Sequence, residues 1–267
     1  MKTSRPPWSD DIFKTSPVWP IPHRVSRLMR VLTDGLKDLL FPPRCHGCGQ
    51  QKGVRHNLLL CSSCRSLLSP LSSPLCSCCG APFPSGEDHL CGICLRDSFA
   101  FTRARSLFVY KEPVSSLLLG LKFGGDLGML DTLSVLARQG KAESAVQAPD
   151  VIIPVPLHKK RLQSRGFNQA LLLAAACFPK WQDRILTSAL FRHQPTVPQT
   201  ELSGMARRQN LRGAFRTGDV ESFAGQSVLL VDDVFTTGST VHECAQILTR
   251  AGARCVEAFT VARVLEH

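Results

Sequence analysis

The chain has 267 residues, 43% of them hydrophobic and 20% charged, which is enough apolar material for a real core and excludes wholesale disorder or a long solenoid. Lys and Arg outnumber Asp and Glu by 32 to 21, a formal charge of +11 that favours anionic partners such as phosphates or nucleic acid without choosing between them. The longest nearly uniform apolar run, Ala170 to Phe178, falls far short of the roughly 20 residues that a membrane-spanning helix needs.

Residues 1–23 carry Pro6, Pro7, Pro17, Pro20 and Pro22 among polar residues, which blocks helix and predicts a flexible tail. Pro6, Pro7, Asp10 and Asp11 also interrupt any secretory apolar region, so the expected location is cytoplasmic. Over residues 24–40, Val25, Leu28, Met29, Leu32, Leu36 and Leu39 recur at helical spacing. The pattern predicts an amphipathic helix, stopped by Pro42 and Pro43.

Nine of the twelve cysteines lie between Cys45 and Cys94, which marks residues 41–98 as a module too small to be stable on burial alone. Cys45-x-x-Cys48 is followed after twelve residues by Cys61-x-x-Cys64, and Cys76-x-x-Cys79 after eleven by Cys91-x-x-Cys94. Each pair of knuckles supplies four thiolates, the soft tetrahedral set that a structural Zn²⁺ takes, with Gly47, Gly49 and Gly80 easing the turns. Two zinc ions are therefore expected, with sequential or crossed pairing left open. Disulfides are the competing reading, disfavoured in a reducing compartment. Cys78 competes with its neighbours for the register, and Cys76 and Cys79 are preferred. His46, His56 and His89 are read as surface residues, and Cys177, Cys244 and Cys255 as small core residues. Four thiolates against each dication would lower the formal charge to about +7, so the chain stays basic.

Residues 99–267 read as a second domain. Strand Arg103–Tyr110, helix Val114–Lys122 and helix Leu127–Arg138 precede a loop from Lys141 to Pro149. Strand Val151–Val155, helix Phe167–Cys177, strand Ile185–Phe191, a polar loop His193–Gln209 and strand Ala214–Thr217 follow. Strand Ser227–Val231, helix Ser239–Ala251 and strand Arg254–Ala262 complete the series. This alternation, with Val228 to Val231 apolar on both faces, predicts an α/β domain with a mainly parallel sheet.

The last strand-to-helix junction carries the chemistry. Asp232 and Asp233 follow Val231, and Thr236, Thr237, Gly238, Ser239 and Thr240 lead into the helix. A turn without bulky side chains at a helix N-terminus presents N–H donors and a favourable dipole to a phosphate, and Gly238 permits close approach. Acids beside a phosphate make sense where they bind ribose hydroxyls or an accompanying cation, so the combination suggests a phosphorylated sugar with Mg²⁺. The plainer reading is a capped helix after an ordinary strand.

This segment resembles the phosphoribosyl pyrophosphate (PRPP) motif of type I phosphoribosyltransferases. The resemblance implies that Asp232 and Asp233 hold the ribose hydroxyls and help place Mg²⁺, while Thr236 to Thr240 cradle the 5′-phosphate. Leu39 to Cys45, Tyr110 to Pro113, Leu121-Lys122-Phe123, Asp150 to Leu157, Arg165 to Gln169 and Arg208 to Phe215 extend it over nearly all of the chain after residue 24. The whole is similar to the ComF, or GntX-like, family: a double zinc ribbon followed by a phosphoribosyltransferase-fold domain. It implies a pyrophosphate loop at Val155 to Lys159, including Pro156, and a hood loop at Gln194 to Asn210. Lys159, Lys160, Arg161, Arg165 and Arg208 offer cations to a polyanion. The family also implies a part in taking up or using external DNA, with the DNA-uptake machinery and single-stranded DNA as partners.

One position departs from the purine-salvage transferases, where an aspartate stands two residues before the glycine. Here it is Thr236, so a carboxylate general base is missing. A transferase of unknown acceptor, in which cations stabilise departing pyrophosphate, and a non-catalytic nucleic-acid adaptor or PRPP sensor both remain open.

Overall fold

The computed structural model describes residues 44–51, 59–194 and 213–265. The expected tail, the helix over 24–40, His56, Arg208 and most of the hood loop lie outside the described residues.

Two short helices, α1 (Ser62–Ser66) and α2 (Gly92–Arg96), belong to the cysteine-rich segment. Then come β1 (Arg103–Val109), α3 (Val114–Leu119), α4 (Gly128–Gln139), α5 (Ala142–Ala145), β2 (Val151–Pro154), α6 (Lys159–Arg165) and α7 (Gln169–Cys177). The chain finishes with β3 (Leu190–Arg192), β4 (Phe215–Thr217), β5 (Ser227–Phe235), α8 (Ser239–Arg250) and β6 (Cys255–Arg263). Strands β1, β6, β5 and β2 form one sheet in that order, with every neighbouring pair parallel. Strands β3 and β4 form a separate antiparallel ribbon.

The run Val228 to Val231 sits at the centre of the sheet and is buried throughout. Its alternation divides the core. Leu229 and Val231 face one apolar cluster with Ile152, Phe259 and the buried residues of α4 and α7, whereas Val228 and Leu230 face another with Ile153, Val256 and those of α8. Burial on both faces is what a parallel sheet covered by crossover helices requires. In α8, Val241, Cys244, Ala245 and Leu248 recur at helical spacing and are buried. Helix α7 begins at Gln169, because the Asn168 side chain accepts a hydrogen bond from the Ala170 N–H at 3.0 Å and caps it.

Several expectations change. The segment from Lys141 is not all loop, since α5 turns Ala142 into the core. The strand expected from Ile185 shortens to Leu190–Arg192, after a 3₁₀ segment Pro179–Arg184 and a single bridge between Ile152 and Ile185. Helix α3 widens into a π-helical turn over Gly120–Gly124, ended by Gly125 at φ 61°. The central strand runs on to Phe235, paired with β6 as far as Arg263, so the two aspartates lie within it rather than after it.

The cysteine-rich segment is built into the same cores. Cys45, Cys61 and Cys64 pack in one apolar cluster, Cys76 and Cys79 in the other. Val109 N–H donates to Ser69 O at 2.9 Å and Leu71 N–H to Leu107 O at 2.8 Å, so this segment covers the open edge of β1.

Candidate functional site

The two cysteine groups repeat one geometry. The sulfurs of Cys45, Cys48, Cys61 and Cys64 lie within 4.8 Å of one another, and so do those of Cys76, Cys79, Cys91 and Cys94. The pairing of knuckles is sequential, and Cys78 stands outside both groups. In each, a knuckle N–H points at the first sulfur: Cys61 N–H to Cys45 Sγ at 3.2 Å and Cys91 N–H to Cys76 Sγ at 3.3 Å. Gly49 and Gly80 adopt φ of 71° and 74°, the left-handed geometry that glycine takes without strain. The sulfurs of Cys48 and Cys61 stand 3.9 Å apart and those of Cys79 and Cys91 3.7 Å, far beyond a disulfide bond. Burial pushes the Cys64 and Cys94 thiols up, a cost to ionisation that a cation among the sulfurs would offset. Converging thiolates fit Zn²⁺ in donor type and number, and the clusters suggest structural zinc. His46 is not a free surface residue, because its Nδ1 lies 3.2 Å from Thr132 Oγ1. Cys177 and Cys244 are buried, whereas Cys255 is half-buried at the start of β6.

At the C-terminal end of the sheet, several segments enclose a cavity of about 700 Å³. They are the end of β5 with the start of α8, the loop Val155–Leu157 after β2, the inner side of α6, the start of α7, the end of β3 and the π-turn with Gly125. Asp232, Asp233, Thr236, Gly238, Ser239 and Thr240 line it, as do Val155, Pro156, Arg161 and Arg165. Thr237 does not, and its Oγ1 instead lies 2.7 Å from Ser239 Oγ, tightening the turn. Lys159 and Lys160 are exposed and do not line it, because they occupy the solvent side of α6. The Asn168 side-chain N–H₂ donates to Val155 O at 3.1 Å and fixes the post-β2 loop.

Of the acidic pair, Asp233 is buried and Asp232 is half-buried at the cavity wall. Asp232 Oδ1 accepts from Asp233 N–H at 2.9 Å, and burial together with the Asp233 carboxylate pushes the Asp232 carboxyl well above the ordinary range. Asp233 is 8% exposed. Its Oδ1 accepts from Val234 N–H at 2.8 Å, while its buried Oδ2 accepts no hydrogen bond and faces Lys122 Nζ at 3.5 Å. A buried carboxylate oxygen that accepts no hydrogen bond and meets Lys122 only as an ion pair, beside a second carboxyl group, suits a ribose hydroxyl or a hard cation such as Mg²⁺.

Lys122, Phe123, Gln169 and Arg192 also line the cavity, and sequence reasoning does not assign them to the site. Lys122 and Phe123 carry a signal in Leu121-Lys122-Phe123 but no reason for a role. Arg192 comes from β3 and lies over the Phe215 ring at 5.4 Å. Arg165 donates to Gln169 Oε1. The lining carries four cations against Asp232 and Asp233, its two carboxylates, so it favours an anion and offers no carboxylate at Thr236.

Residues 36–95 match the double zinc ribbon domain family and residues 187–266 the phosphoribosyl transferase domain family. The chain is 34% identical over 229 residues to competence protein F of Haemophilus influenzae, spanning 84% of this chain and 98% of that one. The chain belongs to the ComF family. Two other relatives are the DNA utilization protein YhgH of Escherichia coli O6:H1, 35% identical over 85% of this chain and 100% of its own length, and competence protein ComFC of Bacillus subtilis, 30% identical over 76% and 84%.

In this ComF-family chain a buried arginine helps to join the two halves. Arg263, buried at the end of β6, donates from Nη1 to Cys79 O at 2.7 Å and from Nη2 to Cys79 Sγ at 3.6 Å. Its guanidinium lies 4.6 Å from the Phe235 ring centroid. A Cβ on Gly238, whose φ is 76°, would come within 2.6 Å of that ring. Gly238 thus serves packing, and the second cysteine group is linked through Arg263 and Phe235 to the turn at the start of α8.

Proposed function

We propose that this chain acts in the uptake or utilisation of external DNA, and that its cavity binds PRPP or a related sugar phosphate with Mg²⁺. The observation that carries this reading is the convergence, in one positively lined cavity, of the acidic pair on β5, the turn through Gly238 at the start of the twelve-residue helix α8, and the post-β2 loop. The turn would receive the 5′-phosphate at the helix N-terminus, Asp232 and Asp233 the ribose hydroxyls and Mg²⁺, and Arg161 and Arg165 the pyrophosphate. Mg²⁺ would supply charge neutralisation for the phosphates. The ComF relatives named for competence or DNA utilization support the process, and the phosphoribosyl transferase match supports the ligand class.

A second reading, a PRPP sensor or nucleic-acid adaptor without turnover, is favoured by Thr236: Asp232 and Asp233 are the carboxylates of the lining, and neither stands where a general base would. Calorimetry of the whole chain with PRPP and Mg²⁺, run beside single-stranded DNA, tests both. PRPP binding without DNA binding is expected for an enzyme or sensor. DNA binding alone would replace that reading with the adaptor, and binding of neither would refute both.

A further inference from the structure

Phe123 is 74% exposed and at the same time lines the cavity. It sits on the π-helical turn Gly120–Gly124, a distortion of α-helix that is frequent at functional sites. A Cβ on Gly120 would meet the end of the Met129 side chain, so this turn packs closely on α4. A Cβ on Gly124 or Gly125, the two residues after Phe123, would meet nothing within 4 Å, so the chain beside the ring is uncrowded. Two cations accompany the ring: Arg165 at 5.6 Å from its centroid and Lys122 at 5.8 Å. An exposed aromatic surface flanked by positive charge, at the rim of a cavity with a cationic surplus, is complementary to a flat π-system carrying phosphate.

We propose that Phe123 is a stacking platform for the nucleobase of a nucleotide whose phosphate enters the cavity. The proposal rests on the sugar-phosphate reading of that cavity and adds its base subsite. The nucleotide can be a free mononucleotide or the end of a single strand, because both present the same base and phosphate. Stacking, unlike hydrogen-bonded readout, accepts any base, so weak base preference is expected.

The test compares adenosine 5′-monophosphate with ribose 5-phosphate by calorimetry on the full chain, and adds a short oligothymidylate as the strand. In the unchanged protein the nucleotide should bind about tenfold more tightly than the sugar phosphate. Phe123→Ala should bring that ratio close to one, and Phe123→Tyr should restore it. Phe123→Trp should show fluorescence quenching on adding the nucleotide, measured against the unchanged chain to subtract its own tryptophans. Loss in Phe123→Ala confined to the oligothymidylate would assign the platform to a strand, and loss confined to the mononucleotide to a free nucleotide. Equal affinities for nucleotide and ribose 5-phosphate in the unchanged protein, or a ratio that survives Phe123→Ala, would overturn the platform alone. Binding of neither compound would overturn the platform together with the sugar-phosphate reading.

Discussion

Gly238→Ala isolates the part of the phosphate turn that depends on packing. A φ of 76° lies in the left-handed region, where a Cβ costs roughly 1–2 kcal/mol. The added methyl would also stand 2.6 Å from Phe235 Cζ and 3.2 Å from Phe99 Cε1. Phe235 has little freedom to yield. It is 3% exposed, lies beneath the Arg263 guanidinium at 4.6 Å, and meets the Phe101 ring edge-on at 6.1 Å. Overpacking of this kind costs about 1–3 kcal/mol, so the total is roughly 2–5 kcal/mol, a large share of the about 5–15 kcal/mol that holds a typical domain together. The melting temperature should then fall on the order of 10 °C. If the turn instead relieves the strain by moving, PRPP affinity should fall. Gly225→Ala is the control, with φ of 72° and open space around the Cβ. It carries the conformational cost alone, so its shift should be less than half as large. Thermal melts read by circular dichroism, with PRPP calorimetry on the same samples, decide the matter. If Gly238→Ala matched Gly225→Ala in both measurements, the packing argument would be wrong.

Metal analysis should find two zinc ions per chain, and Cys61→Ser with Cys64→Ser should remove one. Because Cys61 and Cys64 pack among the buried residues of β1, α3 and α4, that variant should also lower the melting temperature of the sheet domain; retention of both ions would refute the ligand assignment. Asp232→Asn with Asp233→Asn should lower PRPP affinity by at least tenfold in a chain that still folds, and an unchanged affinity would move the site elsewhere. Arg161→Ala with Arg165→Ala should weaken PRPP binding far more than Lys159→Ala with Lys160→Ala, since the lysines stand outside the cavity. The lysine pair should instead make the salt dependence of single-stranded DNA binding shallower, with the slope falling by about 0.7 for each phosphate no longer neutralised. Arg263→Met should loosen the second cysteine group, seen as faster zinc loss to a chelator, and weaken PRPP binding in parallel through Phe235; a change in one without the other would break the proposed link.

The features legible in the sequence are those whose parts are neighbours in the chain. Each Cys-x-x-Cys knuckle is one turn of backbone, so its spacing exposes its chemistry, and two such turns at matching separations recur as Cys45 to Cys64 and Cys76 to Cys94. The turn proposed to take the phosphate is likewise continuous, with apolar strand, acids, glycine and helix start following one another from Val228 to Thr240. Parallel architecture follows from the same strand, because residues apolar on both faces need cover on both sides. Tertiary structure decided where continuity fails. Lys122 meets Asp233, and Arg192 enters the cavity, through folding that brings separate elements to one end of the sheet. Arg263 reaches Cys79 across 184 positions, which periodicity cannot register. The basic run from Lys159 to Arg165 shows the physical reason in miniature: its charge is legible as a total, but one helix turns Arg161 and Arg165 into the cavity and leaves Lys159 and Lys160 in solvent.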